Sequence, residues 1–194
     1  MTRPTVLMLD NVDSFTFMLV DYLRQLGAEV RIERSDQVTV EQAIAAGIDA
    51  IIVSPGPGCP EDAGISVELA AICVARRHPL LGICLGHQAI ALACGSRVER
   101  THPVHGKVGP VRHDGSGLFA GMPSPFAATR YHSLGVPDPR PPLIANAWSD
   151  DGTVMAMRHA DAPVHGLQFH PESVASEQGL ALLGAFLGLS IVNA

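Results

Sequence analysis

The sequence predicts one α/β domain built on a mainly parallel sheet, and three observations point there. Short apolar runs alternate with amphipathic helical patterns through the first half of the chain. A length of 194 residues suits a single domain, and 47% apolar residues can fill a core on both faces of a sheet. From Arg97 to Ala147 the character changes to Pro/Gly-rich turns and short extended stretches, which predict a small antiparallel region in the second half.

Thr5 to Leu9 is the first strand. Phe15, Leu19, Leu23 and Leu26 then share one helical face, with Asp13 or Ser14 placed to cap the helix and Gly27 to end it. Ala28 to Glu33 supplies a second strand. Ala50 to Val53 is a third, followed by a Pro/Gly loop and a helix through Glu68 to Arg77. Pro79 to Ile83 runs into a helix from about Leu85 to Ala93. After the turn-rich middle, Val154 to Met157 and Val164 to Phe169 read as strands. Leu180, Leu183 and Leu187 form a closing amphipathic helix, with Ser176 as its cap. No repeat or linker divides the chain, so one domain over 1–194 is expected. Ligands of open α/β sheets lie beyond the carboxyl ends of strands, which points to the loops after Val53, Ile83 and Phe169.

Composition excludes several function classes. A formal charge of -6 without a Lys/Arg cluster argues against nucleic acid as a partner. The apolar run of Met1 to Leu9 is too short for a signal sequence or a membrane span, so a cytoplasmic protein with no membrane contact is expected. Cysteines 59, 73, 84 and 94 form no CxxC pair, and the nine histidines form no HExxH, so reduced thiols and no metal site are expected.

Three constellations carry chemistry. Gly82-Ile83-Cys84-Leu85-Gly86 is a G-x-C-x-G at a strand-to-helix junction, the thiol counterpart of a nucleophile elbow. The helix N-terminus favours a thiolate at Cys84, and the Leu85 amide can serve as an oxyanion donor. Taken alone, the pentapeptide fits a buried structural thiol equally well. His170-Pro171-Glu172 follows an apolar strand, and two residues apart on extended chain share a side, so Glu172 can orient the His170 imidazole. Such a base with its orienter is what a nucleophilic cysteine needs. Ser54-Pro55-Gly56-Pro57-Gly58 ends the third strand with a loop whose backbone can approach a ligand and offer a second oxyanion N–H. Phosphate cradling is disfavoured there, because no Lys-Ser/Thr follows the glycines. His78, His87, His113 and His159 have no comparable arrangement and read as structural or solvent-facing.

Six ordered blocks turn these features into a resemblance. DNVDSFT at 10–16, SPGPG at 54–58, GICLGHQAI at 82–90, HGK at 105–107, TRYHSL at 129–134 and QFHPES at 168–173 together resemble the class I glutamine amidotransferases. The likeness is greatest to the glutaminase subunits, component II, of anthranilate synthase and aminodeoxychorismate synthase. It implies a flavodoxin-like domain in which Cys84 attacks the glutamine side-chain amide, His170 moves protons and Glu172 orients His170. It also implies that the Gly58 and Leu85 amides hold the oxyanion. By the same matching Gly56, Gly58, Gln88, Ser133 and Leu134 bind L-glutamine, Ser133 and Leu134 chiefly through backbone groups. The implied partner is a chorismate-binding synthase, component I, which needs magnesium, whereas this chain needs no cofactor. A length of 194 residues is expected to leave no room for a second, acceptor-binding domain.

Four positions in three of the blocks and their flanks depart from that pattern. Val12 stands where an aromatic residue is frequent, Val108-Gly109 follows HGK where Thr-Ser or Ala-Ser is usual, and Gly135 follows YHSL where valine is usual. The expectation is a glutaminase subunit serving anthranilate formation, with 4-aminobenzoate formation, or service to both, as the alternative. The remaining readings are a stand-alone γ-glutamyl thiol hydrolase and an interaction subunit without catalysis, the latter opposed by an intact Cys84, His170 and Glu172.

Overall fold

The computed structural model describes residues 3–189, so Met1, Thr2 and residues 190–194 of the expected domain and N-terminal run lie outside it. The order is β1 (Thr5–Asp10), α1 (Thr16–Gln25), β2 (Glu29–Arg34), α2 (Val40–Ala43), β3 (Ala50–Val53), α3 (Ser66–Arg76), β4 (Leu80–Ile83) and α4 (Leu85–Ala93). There follow β5 (Glu99–His113), β6 (Phe126–Gly135), β7 (Leu143–Ser149), β8 (Val154–His159), β9 (Val164–Leu167) and α5 (Gly179–Phe186).

Among the described residues the strands form one nine-stranded sheet in the order β2-β1-β3-β4-β9-β8-β7-β5-β6. The pairs from β2 to β9 are parallel. Those from β9 to β6 are antiparallel. The antiparallel part is thus larger than the small region expected, and its 15-residue β5 accounts for much of the turn-rich middle. An antiparallel bridge between Thr129 and His170 brings edge strand β6 back to the end of β9, so the sheet curls.

Period-two alternation explains how the sheet is covered on both faces. Val6 and Met8 of β1 enter one apolar cluster with Leu19, Val20 and Leu23 of α1 and Leu182 and Leu183 of α5. Leu7 and Leu9 enter the other, with Leu69, Ala70 and Cys73 of α3 and Ile90 and Ala91 of α4. The carboxyl ends of β3, β4 and β9 therefore share one edge, where the three chemistry-bearing loops emerge.

Three local expectations need correction. Neither Asp13 nor Ser14 caps α1, whose N-cap is Phe15 with no side-chain bond. Asp13 instead shapes the preceding turn, its carboxylate accepting the Phe15 N–H at 2.8 Å. Ser176 does not cap α5 either: the N-cap is Gln178, and the Ser176 hydroxyl donates to the His170 carbonyl at 2.6 Å. The buried face of α5 is Leu182 and Leu183, while Leu180 is exposed. The short α2 is an unexpected element, although Thr39 and Gln42 form a reciprocal capping box whose T-x-x-Q signature stands in the sequence.

Candidate active site

The elbow at Cys84 is built by its flanking glycines. A Cβ on Gly82 would strike the Gly86 backbone, and one on Gly86 would strike the Val53 carbonyl, so α4 can leave β4 at close range only without those side chains. Between them Cys84 has φ 51° and ψ -99°, a strained conformation for a non-glycine residue. Strain of this kind marks a residue whose position is fixed by its surroundings, and here it presents the sulfur beyond the sheet edge. The Cys84 amide is anchored to the Leu167 carbonyl of β9 at 2.7 Å. Leu85 opens α4, so its N–H is among those the helix itself leaves without an acceptor.

His170 and Glu172 are buried, with relative exposures of 3% and 0%. His170 Nδ1–H donates to Glu172 Oε1 at 2.5 Å. This pairing is the expected one, but its cause differs from the extended geometry predicted. The chain turns after His170, with the Ser173 N–H donating back to the His170 carbonyl at 3.3 Å, and the turn folds Glu172 onto the ring. The ring packs with Phe15 and Tyr131 in a triangle of aromatic rings, edge-on to each at centroid distances of 5.4 and 5.7 Å, the two partners 5.6 Å from one another. Burial alone disfavours the imidazolium, yet the neighbouring Cys84 and the Glu172 carboxylate outweigh it and raise His170 above its ordinary value. Nε2 has no partner of hydrogen-bond geometry among the described residues, so its interaction with the sulfur in the resting chain is one of proximity.

Cys84 itself is bonded elsewhere at rest. Its thiol donates to the Tyr131 carbonyl at 3.5 Å and accepts from Gln168 Nε2 at 3.6 Å. Cys84, Leu85, Gly56, Gly58, Gln88, Ser133 and Leu134 all border one cleft of about 180 Å³. Such a volume is below the roughly 300 to 1,000 Å³ of drug-sized sites and suits a molecule of amino-acid size. Pro57, His105, Tyr131 and His132 complete its wall.

The surrounding backbone is prepared for a ligand. Between Arg100↔Leu134 and Val104↔His132 the β5–β6 register shifts, leaving Ser133 outside the ladder. Leu134 offers its carbonyl to Gln88 Nε2 at 3.2 Å, which aims the Gln88 side chain across the cleft. The SPGPG loop is pinned by Asn11, whose N–H donates to Ser54 Oγ at 2.9 Å and whose Nδ2 donates to the Ser54 carbonyl at 3.2 Å. A Cβ on Gly56 would lie 2.6 Å from Asn11 Cβ, whereas Gly58 has φ 79° and open space before it. Sequence reasoning assigns no part to Asn11 or Gln168, although each stands in one of the quoted blocks, and gives Tyr131 and His132 a part only in partner docking.

The other three thiols are all held in the protonated form. Cys73 is pushed up to about 12 by burial, burial also raises Cys94, and Cys59 is raised chiefly by its hydrogen bond to Asp62. Among the described residues no group of three or more His, Cys, Asp or Glu side chains could hold a metal ion. No helix of the described residues is long and apolar enough to cross a membrane.

Residues 7–188 match the family described as Glutamine amidotransferase class-I. The chain belongs to the class I glutamine amidotransferases. It is 51% identical over 187 residues to anthranilate synthase component 2 of Thermus thermophilus, covering 94% of this chain and 91% of that protein. It is 46% identical over 185 residues to aminodeoxychorismate synthase component 2 of Escherichia coli, covering 94% and 98%. The crystal structure of a Thermoplasma acidophilum protein named for a role in GMP synthase superposes with a TM-score of 0.86 at 25% identity, covering 97% of this chain and 94% of that one. The curled mixed sheet with its few helices is therefore the amidotransferase architecture, and the cleft at Cys84 lies where that fold gathers its strand-end loops.

Proposed function

We propose that this amidotransferase chain is the glutamine-hydrolysing component of a chorismate-aminating synthase, with Cys84 as nucleophile, His170 as general acid and base, and Glu172 as its orienter. The observation that carries this reading is the strained Cys84 at the mouth of an amino-acid-sized cleft, beside a buried His170 locked by Glu172. Cys84 gives its proton to His170 Nε2 and attacks the side-chain carbonyl carbon of L-glutamine. The oxyanion that forms is held by the Leu85 amide at the start of α4 and by the Gly58 amide. As the C–N bond breaks, His170 returns the proton to the leaving nitrogen, and ammonia departs before water enters. His170 then takes a proton from water, which cleaves the thioester to glutamate and frees the sulfur. Gly56, Gln88, Ser133 and Leu134 bind the amide and α-amino acid ends of glutamine.

The partner is a chorismate-binding component 1, which needs magnesium, while this chain uses no cofactor. Support comes from relatives named as component 2 of two synthases, since a component 2 implies its complement. The 51% relative favours anthranilate as product, and the 46% relative keeps aminodeoxychorismate, or service to both, as the second reading. The deciding assay adds each purified synthase, with magnesium and chorismate, to this chain and follows glutamine-dependent product. Product with one synthase only assigns the pathway, and product with neither overturns the assignment to chorismate amination.

A further inference from the structure

We propose that Gln168 is a positioning residue of this glutaminase, donating its side-chain N–H to the Cys84 sulfur and linking that sulfur to the glutamine cleft through Gln88. The proposal rests on the reading of Cys84 as the nucleophile.

Gln168 is completely buried, directly after β9. Two backbone bonds brace the pair it forms with Cys84. The Gln168 N–H donates to the Met155 carbonyl at 2.8 Å, and the Cys84 N–H donates to the carbonyl of Leu167, the residue before Gln168. The orientation of both side-chain amides follows from one fixed acceptor. The Leu134 carbonyl can only accept, so Gln88 must present Nε2 to it at 3.2 Å. The same Nε2 lies 3.2 Å from the Gln168 side chain, which must therefore present Oε1. Nε2 of Gln168 is then left facing the sulfur, at 3.6 Å.

A neutral thiol accepts such a bond weakly, but a thiolate accepts it with charge assistance. On its other side the sulfur meets the Tyr131 carbonyl, an acceptor that suits S–H and opposes the anion. Gln168 thus favours the state that attacks and, later, the sulfur that leaves when the thioester is cleaved. Unlike His170, it carries no proton to transfer, so its bond persists through every step. Gln88 borders the cleft, and a ligand that reorients it acts on Gln168 through their shared bond.

The test uses the full chain with its synthase. Gln168→Met keeps length and removes both polar atoms, while Gln168→Glu keeps an acceptor for Gln88 and removes the amide donor. Iodoacetamide alkylation is followed against pH, with the modified cysteine identified by mass spectrometry. The groups near the sulfur, the His170 ring from the segment after β9 and the Tyr131 carbonyl from β6, with His132 on the cleft wall, are unchanged in both variants. Both variants are expected to move the Cys84 alkylation midpoint up by about one pH unit, and to lower kcat about tenfold with a smaller change in KM. Gln88→Ala is expected to raise KM more than it lowers kcat. If neither variant folds, the Gln168 side-chain amide in wild-type NMR spectra decides, since its resonances must titrate with the Cys84 alkylation midpoint and cease to do so in Cys84→Ala. An unmoved midpoint in a folded variant, or an amide indifferent to Cys84, overturns the role of Gln168 and leaves the nucleophile intact. Glutaminase activity surviving in Cys84→Ser instead overturns the underlying reading.

Discussion

At the scale of single residues, the proposed chemistry separates nucleophile, base and orienter, and each can be removed alone. Cys84→Ser is expected to abolish glutamine-dependent amination while the synthase still uses free ammonium, because only the thioester step is lost. A chain with that change that still released glutamate would end the assignment. A diazo-ketone glutamine analogue is expected to modify Cys84 and spare the other three cysteines. Those thiols are kept protonated, Cys73 at about 12 by burial, Cys94 by burial and Cys59 chiefly by Asp62. Peptide mapping by mass spectrometry reads the outcome. His170→Ala is expected to cost roughly 100 to 10,000-fold in kcat, and Glu172→Gln less, because the imidazole transfers protons whereas the carboxylate holds it. Steady-state kinetics with the synthase present compare the two, and a larger loss at Glu172 would reverse their roles. Glu172 was legible as the orienter only because it stands two residues from His170. The turn that actually brings it to Nδ1 leaves no periodic signal, and the buried amide of Gln168 looks in sequence like any polar residue at a strand end.

Elements were easiest to read where one physical rule acted alone. The apolar runs of β1, β3 and β4 are buried on both sheet faces, so their identity needs no knowledge of neighbours. The G-x-C-x-G block was legible for the same reason, since strand-to-helix packing at that distance forbids any Cβ. Gly86→Ala is accordingly expected to destabilise the fold by about 1 to 3 kcal/mol, its methyl driven against Val53 at the β3–α4 contact. Urea denaturation reads the change, and an unshifted midpoint would show that the elbow has slack. Harder to read was the β5–β6 hairpin. Its Pro/Gly turns and two register shifts break the alternation by which strands are recognised, and Ser133 falls in one of those breaks. The cap of α5 failed differently: Ser176 is a good capping residue by type, but the His170 carbonyl claims its hydroxyl. Local propensity loses there to the hydrogen bond that holds the turn from His170 to Ser173.

Across the whole molecule, buried histidines tie stability to pH, and the proposed partner is expected to tie activity to assembly. His87 lies in the core with neither ring nitrogen in a normal hydrogen bond, and burial pushes it down to about 4. Burial likewise brings His165 down to about 4. Both values lie below the unfolded one, so the stabilisation is complete above pH 6.5 and is lost as pH falls toward 4. His170, raised when folded, changes stability only above pH 6.5 and does not offset the loss. About 3 kcal/mol from His87 alone should disappear across that window. Urea midpoints from pH 7 to pH 4 are expected to fall steeply for the native chain and less steeply for His87→Leu. Ammonia released into water is largely protonated and no longer nucleophilic, so hydrolysis uncoupled from an acceptor is wasteful, and the resting thiol is bonded to the Tyr131 carbonyl rather than to His170 Nε2. Tyr131 is exposed, and the glycine of the HGK block packs on it, a Cβ on Gly106 falling 2.7 Å from its hydroxyl. A synthase that docked on His105-Gly106-Lys107 would therefore press on Tyr131, whose carbonyl accepts from the Cys84 thiol. Gly58, with open space before it, would leave the proposed oxyanion loop free to settle at the same time. The isolated chain is expected to be a poor glutaminase, and synthase with chorismate to raise its turnover on the order of 100 to 1,000-fold, the worth of one oxyanion donor. Glutamate release is measured for the chain alone, with synthase, and with synthase plus chorismate. Equal rates in all three would dismiss partner control and restore the stand-alone hydrolase. Activation lost in Gly106→Val, with ammonium-dependent amination by the synthase unchanged, would place the control at the contact between Gly106 and Tyr131.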